Sequence, residues 1–375
     1  MKLSVIDYTY SGETPHFTMI GLLETDLSNW YYLAADGTPK KTKATQTLAD
    51  LAISLDEINA APLPHFVSGR LYVSFGKTLQ SVQFGTDGTL VMPSENTNTD
   101  PNYYTIFDKV EFTYKVINPG AMISVNTTLV DGFGAPIDVT LKGEQKGTQN
   151  MGVLDVVRES MFSAFAALPA AFSAQLITGT EYPKVTNNVR MISPALGVST
   201  VSGFGPQFPS GFLDAYIAEC WTHFAKPGNQ LAIDMQAAYG TTATGSVGVD
   251  GSFDFTDTLG NSYSIAKPTT TDVLGCSGPF VPVGSGLYIQ MDGIIKRTVG
   301  AAMNRGVLTH AALCARPFYR NKESNKYAEV VHAKSVDGMN YAFSFDDVCG
   351  YSSSMGDTKP TELVVELQPW NGWPS

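Results

Sequence analysis

Val110-Glu111-Phe112-Thr113-Tyr114, the turn Asn118-Pro119-Gly120-Ala121, and Asn126-Thr127-Thr128-Leu129-Val130-Asp131 running into Gly132-Phe133-Gly134 form the stretch on which the fold turns. Polar and apolar residues alternate in the two flanking runs, the period of a half-buried strand. Between them Pro fixes φ at one turn position and Gly tolerates a positive φ at the next, so the runs read as a hairpin. Closed tightly on that turn, the hairpin sets Glu111 opposite Thr128 and Thr113 opposite Asn126. Those four share a polar, hydroxyl-rich face, and Phe112 and Tyr114 point to the core. Parity sends Asp131 to the other face unless the strand bends at Leu129-Val130 or stops before it. Asp-Gly-Phe-Gly is a sequence suited to such a bend.

Working outward, the same alternation recurs in Ser4 to Tyr10, Trp30 to Leu33, Gly69 to Phe75, Tyr341 to Phe345 and Leu363 to Leu367. Gly, Asn, Asp and Pro clusters such as Ser94 to Asn102 separate the runs of the first part. Short strands spaced in this way imply a sandwich or barrel. Thr45 to Leu55 reads as a helical turn or two. From about residue 150 the period lengthens: Val153 to Phe172, broken at Pro169, Gly211 to Phe224, and Asp292 to Asn304 read as helices. Leu231 to Asp234 and Gly251 to Tyr263 return to strand, with a hairpin turn at Gly260-Asn261. The expected fold class is mostly β with an α+β insertion: a discontinuous β-barrel or sandwich of residues 1–149 and 338–375, and a mixed α/β domain of residues 150–337.

Composition narrows the partners. Of 375 residues, 43% are hydrophobic and only 16% charged, so Ser, Thr, Asn and Gly must cover the surface, as in many secreted β-rich proteins. A net charge of −11 without Lys/Arg blocks argues against nucleic acid and anionic membranes, and leaves a neutral polymer such as a glucan open. Met1-Lys2-Leu3-Ser4-Val5-Ile6-Asp7 meets an acid too soon for a signal peptide, and no long apolar run spans a membrane. The four cysteines, Cys220, Cys276, Cys314 and Cys349, form no CxxC pair and have no His at zinc-like spacing, so no metal site is expected. One or two disulfides and four buried thiols both stay open. The five histidines, His16, His65, His223, His310 and His332, show no ligand spacing and no Ser/Asp partner for nucleophilic catalysis. Gly203, Gly205, Gly211 and Gly284-Ser285-Gly286 read as turn glycines, so no nucleotide cofactor is expected either.

Two acids held at a fixed separation are what hydrolysis of a sugar acetal requires. In the inverting form, one protonates the leaving oxygen and the other activates a water, with carboxyls about 6.5–9.5 Å apart. Glu111 and Asp131 are candidates; two solvated surface charges would have the same spacing. Asp346-Asp347 either lines a groove and binds hydroxyls or closes the turn before Cys349. Arg70 either pairs with a groove carboxylate or lies on the barrel wall. Trp370-Asn371-Gly372-Trp373-Pro374 is either a tail or an edge for sugar stacking.

Tyr341-Ala342-Phe343-Ser344-Phe345-Asp346-Asp347-Val348-Cys349-Gly350, with Thr361 to Pro369 after it, resembles the closing segment of thaumatin-like proteins, and more closely that of the glycoside hydrolase family 64 β-1,3-glucanases. Ser68 to Gly76, Glu111 to Tyr114, Asn126 to Pro136, Pro317-Phe318-Tyr319 and Asn325 to Ala328 with His332 and Ser335-Val336-Asp337-Gly338 agree in order. The resemblance implies a thaumatin-like β-barrel joined to an α/β domain across a wide groove that accepts β-1,3-glucan. It implies Glu111 as general acid, Asp131 as general base, and Thr113 and Thr128 as ligands of sugar hydroxyls, on the face that also carries Asn126. No Trp falls between the two acids, so Tyr114 or Phe133 would have to hold a glucan ring; Lys115 is a charge where a small polar residue is more usual. The expectation is an endo-acting, inverting, extracellular monomer without cofactor. Its rivals are a non-catalytic glucan-binding or antifungal module, and a structural or toxin-like protein on the same scaffold.

Overall fold

The computed structural model describes residues 1–43, 46–80, 93–153, 157–182, 186–310, 312–351 and 353–370. The hairpin is present: strands Phe107–Val116 and Ala121–Thr127 pair antiparallel. Its register differs from the expected one, with Glu111 opposite Asn126 and Thr113 opposite Ser124. The turn closes one residue earlier than expected, over Ile117–Gly120, where the Ile117 N–H donates to the Gly120 C=O at 2.9 Å. Moving the centre of a turn by one residue shifts each pair by two and leaves every side chain on its original face. Phe112 and Tyr114 are therefore still buried, each 4% exposed.

This hairpin belongs to a large sheet whose strands run in the order Ser354–Asp357, Ala121–Thr127, Phe107–Val116, Phe66–Phe75, Pro15–Leu23, Asp26–Leu33 and Pro39–Lys41. A five-stranded sheet lies against it, in the order Gly147–Gly152, Ile137–Gly143, Pro360–Leu367, Lys2–Asp7 and Ala60–Pro62. Within it Lys2–Asp7 runs parallel to Pro360–Leu367, and Val5 lies beside Val365. Alternate residues of both sheets, among them Val5, Phe17, Leu71, Phe112, Val139 and Val365, meet in one apolar cluster. A two-layer sandwich of this kind needs only period-2 patterning, which these strands have.

The second half builds its own apolar cluster, around Phe133, Phe162, Trp221, Phe253, Ile295 and Tyr327. A four-stranded antiparallel sheet (Leu231–Asp234, Thr242–Val247, Phe253–Asp257, Ser262–Ile265) packs with helices Arg158–Ala166, Asp214–Phe224, Gly286–Asn304 and Lys326–Ala333. The longest helix buries Met291, Ile295, Val299 and Ala302, a stripe at helical spacing. A short sheet of Gly132–Phe133, Asn188–Ile192 and Leu176–Thr178 joins the halves. Among the described residues no helix is long and apolar enough to cross a membrane.

Several expectations are corrected. Tyr341 to Phe345 is not a strand: Tyr341 makes one bridge to Thr128, and the chain then turns because the Asp346 carboxylate accepts the Ala342 N–H at 2.9 Å. The helical run up to Phe172 starts at Arg158 rather than Val153, and breaks at Pro169 as expected, into Arg158–Ala166 and Ala170–Ser173. Trp370 is buried, edge-on to Phe75 and under the Arg158 guanidinium, so it is core rather than a stacking edge; Trp373 lies outside the described residues. Cys314 and Cys349 form a disulfide, while Cys220 and Cys276 stay thiols whose burial pushes each up to about 12.

Candidate active site

The Phe107–Val116 strand sends Lys109, Glu111 and Thr113 to its open face. Glu111 meets Arg70 on the neighbouring strand: Arg70 Nε donates to Glu111 Oε1 at 3.1 Å, with the two side chains 32% and 34% exposed. The groove-carboxylate alternative for Arg70 is thus the one found, and Arg70 rather than Lys115 is the cation against Glu111.

After Thr127 the chain leaves the sheet. The Leu129 C=O accepts from Tyr327 Oη at 2.6 Å, and the Asp131 C=O accepts from the Ser193 N–H at 2.9 Å. Gly132 then pairs with Ile192 in the joining sheet. This is the bend that parity demanded, and two close approaches require its glycines. A Cβ at Gly132 would lie 2.4 Å from the Met191 carbonyl oxygen, and one at Gly134 would lie 2.1 Å from that of Phe107. The bend turns the Asp131 carboxylate back to Lys109, whose ammonium donates to Asp131 Oδ2.

Lys109 is itself held from behind. Glu95 Oε1 lies 3.4 Å from its Nζ, and the other Glu95 oxygen accepts from Arg190 at 2.7 Å. Lys109 and Glu95 are only 10% and 9% exposed. Burial alone would push the ammonium down, but Glu95 and Asp131 together hold it well above the ordinary lysine range. On the core side of the same strand, burial pushes the Asp108 carboxyl up to about 6, although it accepts the Gly134 and Ala135 N–H groups at 3.0 and 3.2 Å.

Glu111 and Asp131 line one cavity of about 280 Å³ together with Arg70, Lys109 and Glu95. A second, of about 260 Å³, adjoins it through Arg70 and Glu111 and is lined by Ser68, Thr113, Ser124 and Asn126. The two make one trough along the open sheet face, with the acids in one half and neutral hydroxyl and amide groups in the other. Thr113 Oγ1 accepts the Ser68 N–H at 3.3 Å.

The other expected sugar contacts lie elsewhere. Thr128 is buried at the bridge to Tyr341. Tyr114 is buried and stacks on His65, and Phe133 is fully buried against Phe162 and Phe165, so neither offers a platform in the trough. Asp346 is fully buried, paired to Arg305 at 3.1 Å and His332 at 2.7 Å, and closes its turn. Asp347 binds Arg297 on the wall of a separate, mostly apolar cavity of about 1030 Å³ in the second half. Sequence reasoning missed Lys109, Ser124 and Glu95. Parity with Glu111 would have found Lys109, and the observed register would have found Ser124. Glu95, in a Ser/Asn/Thr-rich loop, carries no such signal. Among the described residues no group of three or more His, Cys, Asp or Glu side chains is placed to hold a metal ion.

The family model for glycoside hydrolase family 64, described as β-1,3-glucanase, matches residues 1–367. A glucan endo-1,3-β-glucosidase of Cellulosimicrobium cellulans is 27% identical over 82% of the chain, and one of Arthrobacter sp. (strain YCWD3) is likewise 27% identical over 82%. The chain spans about half, 53%, of the length of each of these relatives. A solved laminaripentaose-producing β-1,3-glucanase, in complex with laminaritetraose, superposes with a TM-score of 0.81 at 26% identity, covering 98% of each chain. A β-1,3-glucanase domain from Clostridium beijerinckii shares the fold, with a TM-score of 0.78 at 24% identity over 99% of this chain and 98% of that one.

Proposed function

The chain belongs to glycoside hydrolase family 64, the β-1,3-glucanases, and from that premise we propose that it cleaves β-1,3-glucan internally by single displacement with inversion. Glu111 is the general acid and Asp131 the general base. One observation carries the reading: both carboxylates open into one trough, each beside a cation of different character.

The two partnerships divide the roles. Asp131 rests on an ammonium that is nearly buried and braced by Glu95, so its carboxylate is held in place beside the trough, as a base must be. Glu111 is paired through water-exposed groups; such a pair is worth ~0–1 kcal/mol, so a bound sugar can take the place of Arg70. Lys109 and Glu111 are two residues apart on one strand, so their anchors lie ~7 Å apart, in keeping with room for a water between the acids. A glycosidic oxygen over Glu111 takes its proton as the bond to the anomeric carbon breaks. A water beside Asp131 loses a proton to it and attacks that carbon from the opposite face.

Thr113 and Asn126 flank Glu111 in the neutral half of the trough and bind sugar hydroxyls, joined by Ser68 and Ser124. We read the two-sheet half as a thaumatin-like barrel of residues 1–149 and 338–375, and residues 150–337 as the α/β domain. Two distinct apolar clusters support that division, with Ile177, Tyr182, Val189 and Ile192 crossing into the first, and Leu129, Phe133, Ala342, Phe343 and Phe345 into the second. The Cys314–Cys349 disulfide supports an extracellular setting, and one chain supplies both acids, so a monomer suffices.

The test is reducing-sugar release from laminarin by the wild type, Glu111→Gln and Asp131→Asn. Activity in the wild type should fall by ~10²–10⁴-fold in each variant, with retention on insoluble β-1,3-glucan unchanged. A wild type that binds glucan and releases nothing would assign a binding module; one that does neither would remove the glucan reading.

A further inference from the structure

Asp131 sits on a bend outside the sheet, with its backbone fixed by the Ser193 hydrogen bond and by two glycine contacts. Its side chain is 40% exposed, and among the described residues Lys109 is the group that bonds it. Left alone, an exposed Asp carboxylate would sample its rotamers freely. Lys109 removes that freedom only if it cannot move, and its surroundings supply this. Glu95 joins Lys109 to Arg190, whose side chain is 2% exposed. Arg190 in turn donates to the carbonyls of Thr105 and Phe107 at 3.2 and 3.4 Å and lies 3.8 Å over the Phe107 ring. Glu95 is steadied by its neighbour Asn96, which donates to the Leu196 C=O at 3.3 Å and Thr200 Oγ1 at 3.0 Å.

We propose that Lys109, braced by Glu95 and Arg190, is the positioning residue of the reaction, fixing Asp131 through Oδ2 so that Oδ1 is aimed at the attacking water. The proposal rests on the hydrolase reading above and deepens it. Charges alternate along the row Asp131, Lys109, Glu95, Arg190, so each member is held from both sides except Asp131, which ends the row as a lining residue of the trough. Lys109 touches neither substrate nor water in this scheme; it acts through Asp131.

The experiment compares Lys109→Met and Lys109→Arg with the wild type on laminarin, recording kcat and KM separately, with melting curves for each protein. Misplacing a catalytic group by about an ångström costs roughly 10²-fold, so Lys109→Met should lose about that in kcat with KM within ~3-fold. Lys109→Arg, which keeps the charge, should recover to within ~10-fold of the wild type. An unchanged kcat in Lys109→Met, a loss confined to KM, or equal losses in Met and Arg would overturn the proposal. If Lys109→Met fails to melt cooperatively, Lys109→Gln replaces it under the same criteria. If neither neutral variant folds, Lys109→Arg decides: kcat retained supports the proposal, and kcat at the Asp131→Asn level overturns it. A wild type that releases no sugar removes the hydrolase reading and this proposal together, whereas an active wild type with an unaffected neutral variant removes only this one.

Discussion

Arg70 and Glu111 face each other directly across two neighbouring strands, with Arg70 Nε 3.1 Å from Glu111 Oε1, and the pair borders both halves of the trough. Two residues along the same strand, Lys109 makes the opposite kind of partnership, enclosed and supported from behind. The two ion pairs differ in setting: both ends of the first are open to water, whereas in the second only Asp131 is, and the Lys109 end is nearly buried against Glu95.

That difference is measurable by unfolding. Glu111→Gln should change stability by no more than ~1 kcal/mol, since its partner is solvated. Glu95→Gln leaves two nearly buried cations with a weakened counter-charge and should cost ~3–5 kcal/mol. Equal effects in urea titrations would contradict the contrast.

Gly134→Ala should be more damaging than a one-methyl change suggests. The new Cβ would lie 2.1 Å from the Phe107 carbonyl oxygen, a backbone atom that cannot rotate away. Overpacking of this kind costs ~1–3 kcal/mol, and relieving it moves the bend that carries Asp131. Melting temperature and laminarin hydrolysis should therefore fall together.

Two carboxylates give stability opposite dependences on pH. Asp108 is raised to about 6 by burial, so the folded protein binds the extra proton and stability falls as pH rises. The penalty is absent below the unfolded value near 4 and complete above about 6, and a shift of that size corresponds to ~3 kcal/mol. Glu362 is held down to about 2 by hydrogen bonds from Lys142 and Ser4; its contribution is present above its ordinary range and is lost as pH falls through about 2. Asp108→Asn keeps the acceptor for Gly134 and Ala135, so it should flatten the slope between pH 4 and 6 in chemical denaturation.

The cysteines should separate cleanly by reactivity. Cys314 and Cys349 close a loop with a sequence separation of 35, so reducing them should cost ~2–4 kcal/mol. Cys220 and Cys276 are buried thiols pushed up to about 12, and a thiol reagent should label neither until the protein unfolds.

The strands and the longer helices were legible in the sequence because their residues repeat at a fixed period, as in Phe107–Val116 and Gly286–Asn304. Asp131 was legible as a problem of parity whose solution, a bend at Gly132, the structure supplies. Register was misread because turn geometry sets it, and Asn118-Pro119-Gly120 is compatible with more than one closure. Tyr341 to Phe345 alternates like a strand, yet a local hydrogen bond from Ala342 to Asp346 outcompetes the ladder. Tyr114 and Phe133 were offered as sugar platforms on residue type, although strand alternation already sent Tyr114 to the core; for Phe133 no local pattern marked the burial. The support for Lys109 comes from Glu95 and Arg190, far apart in the chain, and no local pattern brings them together.

The Pro360–Leu367 strand lies at the middle of the five-stranded sheet, flanked by Ile137–Gly143 and Lys2–Asp7. A ribosome therefore delivers the centre of that layer after both of its neighbours, and until then their inward-facing valines and leucines have no cover. A chain cut before residue 360 would leave two loose edges, and a synthetic peptide spanning 358–370 offered in trans is the natural piece to rejoin them.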